Sequence, residues 1–332
     1  MSVTVTDQTG VVIEHRVITN QKGPAIKLVN CVDAVVRFCC ITDIQGVGVS
    51  LSNCVRCVVE QVAVRAATVG IEMDNCTECT IDHCRFEDCR DTMSSRPIGS
   101  AIRSTRCRQT KITYNCLFTD PATCGAGTGD IIYIGRNEGD ESAVTEVSQN
   151  IIDGGGEHES GGGIVVDKDS VFVDVSHNVI SNSGYYGIGV TGGSHIRITY
   201  NRLYSDKTAT SHVGLYVRAL KDATLDNILI TENKVFWRDT HGESKPFTPP
   251  RVSGAYTERR NMWMHDWRNE SDLPGDWAGF AAPFSRYVNQ ARNEAEEGSV
   301  IEEVDPDKPV YMVWRVVGDD ATVVYYGNRR PE

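Results

Sequence analysis

Short apolar runs in which every second residue is hydrophobic recur along most of the chain. The stretch Val173–Asp206 shows the pattern most clearly, because it holds two copies 23 residues apart: Val173-x-Val175-x-x-Asn178-x-Ile180 and Ile196-x-Ile198-x-x-Asn201-x-Leu203. A further run, Ile188-x-Val190, lies between the copies among glycines. Units of about 20 to 30 residues with several period-2 runs are typical of a solenoid. We call one such unit a rung.

The rung pattern extends from the N-terminus to residue 237. The position of the two asparagines, which we call the marker, is occupied in order by Arg16, Cys39, Val62, Cys84, Asn115, Asn150, Asn178, Asn201 and Asn233. The residues three before the marker are all apolar: Ile13, Val36, Val59, Ile81, Ile112, Val147, Val175, Ile198 and Ile230. Those two after it are apolar as well: Ile18, Ile41, Val64, Phe86, Leu117, Ile152, Ile180, Leu203 and Val235. The pattern predicts an all-β chain of about nine stacked rungs.

The strand that opens each rung from the second onward predicts which side chains face inward. Its inward pairs are Ile26/Leu28, Val49/Leu51, Ile71/Met73, Ile102/Ser104, Ile132/Ile134, Ile164/Val166, Ile188/Val190 and Leu215/Val217. Because side chains alternate along a strand, the residues between and after them should face outward. These are Lys27, Ser50, Glu72/Asp74, Arg103/Thr105, Tyr133/Gly135, Val165/Asp167, Gly189/Thr191 and Tyr216/Arg218.

The sequence of residues 238–332 lacks the rung pattern and predicts a different structure. An irregular aromatic segment holds Trp263, Trp267 and Trp277, residues 283–297 predict an amphipathic helix, and 310–326 predict a hairpin. We therefore divide the chain into a β-helix over 1–237 and a C-terminal α+β cap or small module over 238–332. A sugar-stacking role for the tryptophans is an alternative. The first rung has no cap before it, which predicts a homo-oligomer or a partner chain covering that edge.

Composition narrows the function classes. A formal net charge of −12 over 332 residues argues against a general nucleic-acid binder. No apolar run is long enough to predict a membrane span, and the first residues show no signal peptide.

Twelve cysteines lie between Cys31 and Cys124, and Cys54-x-x-Cys57 with Cys76-x-x-Cys79 has the spacing of a zinc site. The rung register offers a simpler explanation. Cys57 and Cys79 stand five before the marker, where other rungs carry apolar residues. Cys31, Cys54, Cys76 and Cys107 all stand eight before it. We predict stacked core thiols, with zinc as the alternative, and either a reducing compartment or a virion protein.

These columns, with Asn115, Asn150, Asn178, Asn201 and Asn233 as a ladder, resemble the right-handed parallel β-helix of pectate-lyase-like proteins. The resemblance implies a single-stranded right-handed coil. It also implies one of several activities, because the fold includes polysaccharide lyases, glycoside hydrolases, epimerases, tailspike depolymerases and non-catalytic virion proteins. The chain lacks the pectate-lyase-like Arg-x-Pro-x-x-Arg and the signatures of polygalacturonase-like and epimerase-like enzymes.

Insertions suggest where a site would lie. Residues 87–99, 119–129 and 153–162, and to a smaller extent 205–213, interrupt the rungs just before the opening strand, and insertions on one face of a solenoid often mark its binding face. We predict a polysaccharide groove across rungs four to eight. Its candidate catalytic residues are Asp130, Glu157, His158 and Asp167, and its candidate substrate-binding residues are Arg103, Tyr133, Tyr186 and Arg218.

Two reactions fit these side chains. Two of the carboxylates Asp130, Glu157 and Asp167 could hydrolyse a glycosidic bond, with His158 moving protons. Alternatively, His158 or Tyr186 could abstract the C5 proton of a uronate while Arg103 neutralises its carboxylate. No cofactor is required, although Asp130, Asp153, Glu157 and Asp167 would also suit calcium. The glycine-rich insertion could equally be a solvated connection. A non-catalytic structural or receptor-binding virion spike or fibre protein is the alternative function.

Overall fold

In the computed structural model of the protein, the chain winds into a parallel β-helix with three strands per rung. The structure describes residues 1–91, 99–119, 128–155, 161–206, 210–220, 222–250, 256–263, 299–303, 311–317 and 320–327. Each strand pairs in parallel with the equivalent strands of the rungs before and after it. The all-β fold predicted from the repeats is therefore confirmed. No helix long and apolar enough to cross a membrane occurs in this described part of the chain.

The three strands of each rung form three sheets along the helix. The first sheet holds β1 (Val3–Thr6), β4 (Ile26–Val29), the second halves of β6 (Cys40–Ser52) and β8 (Ala63–Asp74), β11 (Ser100–Thr105), β14 (Ile132–Gly135), β17 (Ile164–Val166), β20 (Tyr186–Val190), β23 (Val213–Val217) and β26 (Phe247–Thr248). The second holds β2 (Val12–Glu14), β5 (Val35–Arg37), β7 (Val58–Glu60), β9 (Thr80–Asp82), β12 (Lys111–Thr113), β15 (Thr145–Ser148), β18 (Val171–Ser176), β21 (Gly193–Thr199), β24 (Leu225–Thr231) and β27 (Tyr256–Arg259). The third holds β3 (Val17–Lys22), the first halves of β6 and β8, β10 (Arg85–Glu87), β13 (Cys116–Phe118), β16 (Ile151–Asp153), β19 (Val179–Ser181), β22 (Arg202–Asp206), β25 (Lys234–Arg238) and β28 (Met262–Trp263).

The inward columns form one continuous core. Every inward pair predicted for the first sheet is fully buried, including the hydroxyl of Ser104, which accepts a hydrogen bond from Asn137 Nδ2 at 2.9 Å. The residues three before and two after the marker are buried throughout the predicted rungs. Each buried Ile, Leu or Val contributes roughly 1.5–3 kcal/mol. Because each turn buries its apolar face only against its neighbours, stability comes from stacking.

A buried ladder of asparagines ties six consecutive rungs together. In each step the side-chain oxygen of one asparagine accepts two hydrogen bonds from the asparagine of the preceding rung, one from its backbone N–H and one from its side-chain amide. Asn178 Oδ1, for example, accepts both bonds from Asn150 at 3.0 Å. The amide of Asn178 also donates to Val147 O at 2.8 Å. The same bonds join Asn115 through Asn233 and extend to Asn261. Cys84 holds the marker position in the rung before Asn115. There its thiol, and not an asparagine amide, donates to a backbone carbonyl, that of Val59, at 3.6 Å.

A second, exposed ladder marks the corner between the first and second sheets. Asn75 donates to Asn53 at 2.8 Å, and Asn53 donates to Asn30 at 3.2 Å. These three residues have φ angles of 51–55°, as does Asp7 before them. Asn and Asp tolerate this left-handed conformation better than other residues with a side chain.

Six of the cysteines occupy two of the stacked columns: Cys31, Cys54, Cys76 and Cys107 stand eight residues before the marker, and Cys57 and Cys79 stand five before it. All eleven in the described residues are buried, and Cys124 lies outside those residues. The Cys57 N–H donates to Cys79 Sγ at 3.3 Å, and the Cys76 N–H donates to Cys107 Sγ at 3.4 Å. Burial raises the pKa of the Cys84 thiol, which favours the neutral form. The prediction that these residues are core thiols is confirmed.

The helix continues beyond residue 237, where the sequence pattern predicted its end. Strands β26, β27 and β28 form a tenth rung in the described part of the chain, with Asn261 as its marker. The pattern missed this rung because Glu258 and Tyr256 stand where Ile230 and Ile228 stand in the rung before.

The predicted insertions do lie at one corner. Each joins a strand of the third sheet to the next strand of the first sheet, for example β13 to β14 and β16 to β17. In the C-terminal part, β29 (Ser299–Glu303), β30 (Tyr311–Val317) and β31 (Asp320–Gly327) form an antiparallel sheet, in which β30 and β31 correspond to the hairpin expected at 310–326. The helix expected at 283–297 lies outside the described residues.

The ladder predicts a stability difference between two identical substitutions. Asn178→Asp should lower the free energy of unfolding by about 3 kcal/mol or more, because a buried carboxyl cannot donate to Val147 O and Asn201 Oδ1. Urea unfolding followed by circular dichroism measures the loss.

Asn53→Asp is the matched control. Its ladder is exposed and aspartate tolerates the φ of 55°, so a loss of under about 1 kcal/mol is expected. Equal losses in the two variants would contradict the role given to the buried ladder.

Candidate active site

The outward face of the first sheet carries three rows of side chains that run across the strands of rungs four to nine. The register places Arg103, Tyr133, Val165, Gly189 and Tyr216 side by side in the middle row. The N-terminal row holds Asp130, Gly162, Tyr186 and Val213, and the C-terminal row holds Gly135, Asp167, Thr191 and Arg218. The two aspartates therefore lie on opposite sides of the middle row.

Asp167 is held in place at the C-terminal row. One carboxylate oxygen accepts from the Tyr133 hydroxyl at 2.6 Å. The other accepts from the Thr191 hydroxyl at 2.5 Å and from the Lys168 N–H at 2.8 Å. Three donors to one half-buried carboxyl fix its orientation.

Asp130 has a different environment at the N-terminal row. Burial, with a smaller contribution from the negative charge of Asp167, raises the pKa of this carboxyl to about 6. Hydrogen bonds donated by the Tyr186 hydroxyl and by the Gly162 N–H oppose that rise. A carboxyl group with a raised pKa near neutrality is one that acid–base chemistry can use.

Three glycines give the tyrosine rings their positions. A Cβ on Gly135 would lie 2.5 Å from Tyr133 Cε1, one on Gly162 would lie 2.5 Å from Tyr186 Cε2, and one on Gly189 would lie 2.6 Å from Tyr216 Cε1. Each ring thus lies against backbone where any other residue would place a side chain. Two of the rings use this space to bring their hydroxyls to Asp167 and Asp130.

An apolar floor lies between the two carboxyl groups. Val165 and Tyr186 are each only 3% exposed, and Tyr133 and Tyr216 pack against them while remaining half-buried. The rings of Tyr186 and Tyr216 meet edge to face at 4.9 Å. Burial, together with the charges of both aspartates, raises the pKa of Tyr133 and Tyr216. These phenols therefore keep their protons near neutral pH and can donate hydrogen bonds.

Arg103 borders the floor on the side of the lower-numbered rungs. Its guanidinium lies 4.0 Å from Glu72 and 5.9 Å from the centre of the Tyr133 ring. On the opposite side, Tyr185 and His212 stack at 4.6 Å. Burial and the charge of Lys245 lower the pKa of His212. Arg218 is exposed and lies beyond Thr191 in the C-terminal row.

The structure thus brings together Asp130, Asp167, Arg103, Tyr133 and Tyr186 among the residues predicted from sequence. Glu157 and His158 lie outside the described residues. Asp153 belongs to the third sheet, where it accepts a hydrogen bond from Ser181. In the described part of the chain, no group of three or more His, Cys, Asp or Glu side chains is placed to hold a metal ion, so calcium stays a prediction.

Sequence reasoning missed several contributors to this site. Tyr216 and Thr191 stand among the predicted outward residues, in line with Tyr133 and Asp167 respectively, and this alignment could have revealed them. The sequence did not reveal the role of three glycines, Gly135, Gly162 and Gly189. They make room for tyrosine rings, and the direction of those rings is visible only in the structure.

The family is shown by sequence comparison. A family model described as "Right handed beta helix region" matches residues 2–138 and again 130–244. The chain belongs to the right-handed β-helix family. A search of curated proteins finds no match.

Solved β-helix structures are similar to this chain at low sequence identity. The tailspike protein of Escherichia coli bacteriophage HK620, in complex with a pentasaccharide, shares 11% identity with a TM-score of 0.51, over 79% of this chain and 54% of that one. An alginate lyase from Paenibacillus sp. str. FPU-7 shares 13%, with a TM-score of 0.49, over 74% of this chain and 95% of that one. An exopolygalacturonase from Thermotoga maritima shares 10% sequence identity, with a TM-score of 0.47, over 72% of this chain and 54% of that one.

The hydrogen bond between Tyr186 and Asp130 predicts a measurable shift. In Tyr186→Phe, the pKa of Asp130 should rise above its value of about 6, because the hydroxyl that stabilises the carboxylate is gone. Carbon-13 NMR of labelled aspartate side chains across a pH series measures this pKa. Tyr185→Phe, one residue away, is the control and should leave the pKa of Asp130 unchanged. A lower pKa in Tyr186→Phe would contradict the assignment.

Proposed function

We propose that this β-helix protein binds a polysaccharide across the outward face of the first sheet and hydrolyses it between Asp130 and Asp167. The observation that carries the proposal is the pair of carboxyl groups on opposite sides of an apolar floor. One of them has its pKa raised to about 6 and the other is held by three donors. Glycoside hydrolysis uses two carboxyl groups in these two states.

Asp130 is suited to be the general acid. Its raised pKa keeps a fraction of it protonated near neutral pH, so it can donate a proton to the leaving glycosidic oxygen. Gly162 N–H and Tyr186 both bond the same oxygen, Oδ1. This leaves Oδ2 as the atom that would carry the proton toward the substrate.

Asp167 is suited to be the second carboxyl group. It would act as the ionised partner, either activating a water molecule or attacking the sugar carbon. Tyr133 and Thr191 orient it and disperse its charge. The Tyr133 and Tyr216 rings beside Val165 provide an apolar surface for the face of a sugar ring.

Hydrolysis fits these residues better than elimination. Elimination needs a base with a pKa near the working pH, but burial raises the pKa of Tyr186 well above its usual value and its hydroxyl already donates to Asp130. Arg103, which would have to neutralise a uronate, lies beside Glu72. His158, the other candidate base, lies outside the described residues.

A non-catalytic glycan receptor, as in a virion spike or fibre, is the second candidate. The specific observation in its favour is that both oxygens of Asp167 already accept hydrogen bonds, which lowers the reactivity of a carboxylate. The tailspike of similar fold was solved with a pentasaccharide bound, so such a fold is able to hold a glycan.

Cleavage of a polysaccharide panel tests the proposal. We expect new reducing ends with the wild type, and a fall in kcat of roughly 10²-fold or more in Asp130→Asn and in Asp167→Asn. Activity should fall as pH rises through about 6, because Asp130 then loses its proton. Affinity for the cleaved polymer should change far less than kcat, since Asn keeps the shape of Asp.

Asp226→Asn, an exposed substitution on the second sheet, is the matched control and should cleave as the wild type does. Full activity in both site variants would contradict the proposal. Binding without any cleavage by the wild type would favour the receptor.

A further inference from the structure

The charges that surround the floor are unevenly distributed. Asp130 and Asp167 lie on its two long sides, and the negative charge of each raises the pKa of Tyr186 and of Tyr216. Arg103 lowers the pKa of Tyr133 but is not adjacent to Tyr216, because Tyr133, Val165 and Gly189 stand between them in the middle row. The part of the floor around Val165 and Tyr216 therefore lies in a negative field.

Arg103 offsets the charge of Asp130 in part, since it lowers the pKa of that carboxyl, but the nearby cations lie away from Val165 and Tyr216. The guanidinium of Arg103 already lies 4.0 Å from Glu72 and against the Tyr133 ring. Arg218 is exposed and lies in the C-terminal row, with Thr191 between it and Asp167. Lys168 follows Asp167 directly in the chain, on the side of that row away from Val165.

A sugar ring on this floor would rest on apolar surface. Val165 is almost fully buried, and the Tyr216 ring covers Gly189 beside it. A carboxylate carried by that sugar would lose water against this surface and would lie between two acidic side chains. Both effects disfavour a charged sugar, because a desolvated charge needs an opposite charge close by.

We infer that the sugar unit bound over Val165 and Tyr216 is uncharged, so that the substrate is a neutral polysaccharide or a neutral segment of a mixed one. This inference rests on the proposed function and names its substrate class. It favours polymers of hexoses, pentoses or N-acetylated sugars over uronic acid polymers. Glu72 contributes by pairing with the cation that a uronate would otherwise use.

Matched polymers test the inference. Polygalacturonate, alginate and glucuronoxylan would each be compared with their carboxyl-reduced forms, which keep the linkages and remove the charge, alongside a panel of native neutral polysaccharides. Affinity electrophoresis in gels that contain the polymer gives binding, and reducing ends give cleavage. For any backbone that is bound, we expect the reduced form to bind at least tenfold more tightly than its acidic parent.

The outcomes separate the two claims. Tighter binding or faster cleavage of an acidic parent than of its reduced form would overturn the neutral-substrate inference and leave the proposed function standing. Absence of binding to every polymer, acidic or neutral, would overturn the proposed function and the inference with it.

A charge variant adds an independent check. Glu72→Gln releases Arg103 from its acidic neighbour, so the ratio of affinities for acidic over reduced polymer should rise at least threefold. Glu60→Gln, on the second sheet, is the matched control and should leave that ratio unchanged. An unchanged ratio in Glu72→Gln would contradict the charge argument.

Discussion

The in-register stacking of parallel strands is the constraint on which the rest of this molecule depends. A rung has no core of its own, because its apolar side chains are buried only when the next rung covers them. Register must therefore be kept from rung to rung, and the buried asparagine ladder keeps it. Each asparagine bonds the next one and a backbone carbonyl at 2.8–3.2 Å, so a slip of one residue would leave several buried donors without acceptors.

The candidate site is a consequence of that register. Because equivalent positions lie side by side, residues separated by about 30 positions in sequence become neighbours, as Tyr133 and Asp167 do. The two half-buried carboxyl groups have different partners, because Asp167 accepts from the hydroxyls of Tyr133 and Thr191 and Asp130 accepts from the hydroxyl of Tyr186.

Sequence alone predicted the columns well, because alternation and rung period are local properties that burial enforces. It predicted the inward pairs and the buried cysteine columns for this reason. It did not predict the tenth rung, because Glu258 stands there at the position that Ile230 occupies in the ninth rung. It also placed Tyr186 in the groove as a substrate-binding residue; in the structure that ring is buried and its hydroxyl donates to Asp130. The period of a strand fixes the side on which a residue lies, but the direction of the Tyr186 ring depends on Gly162 in the preceding rung, which the pattern of one strand does not contain.

The most direct measurement is a crystal structure of the Asp130→Asn variant with an oligosaccharide cut from the best-cleaved polymer. If the account is correct, a sugar ring lies on Val165 and Tyr216, with the glycosidic oxygen at the cleavage point facing residue 130 and its anomeric carbon facing Asp167. An oligosaccharide bound on the second or third sheet, or on the C-terminal segment, with the floor between the two aspartates left empty, would contradict it.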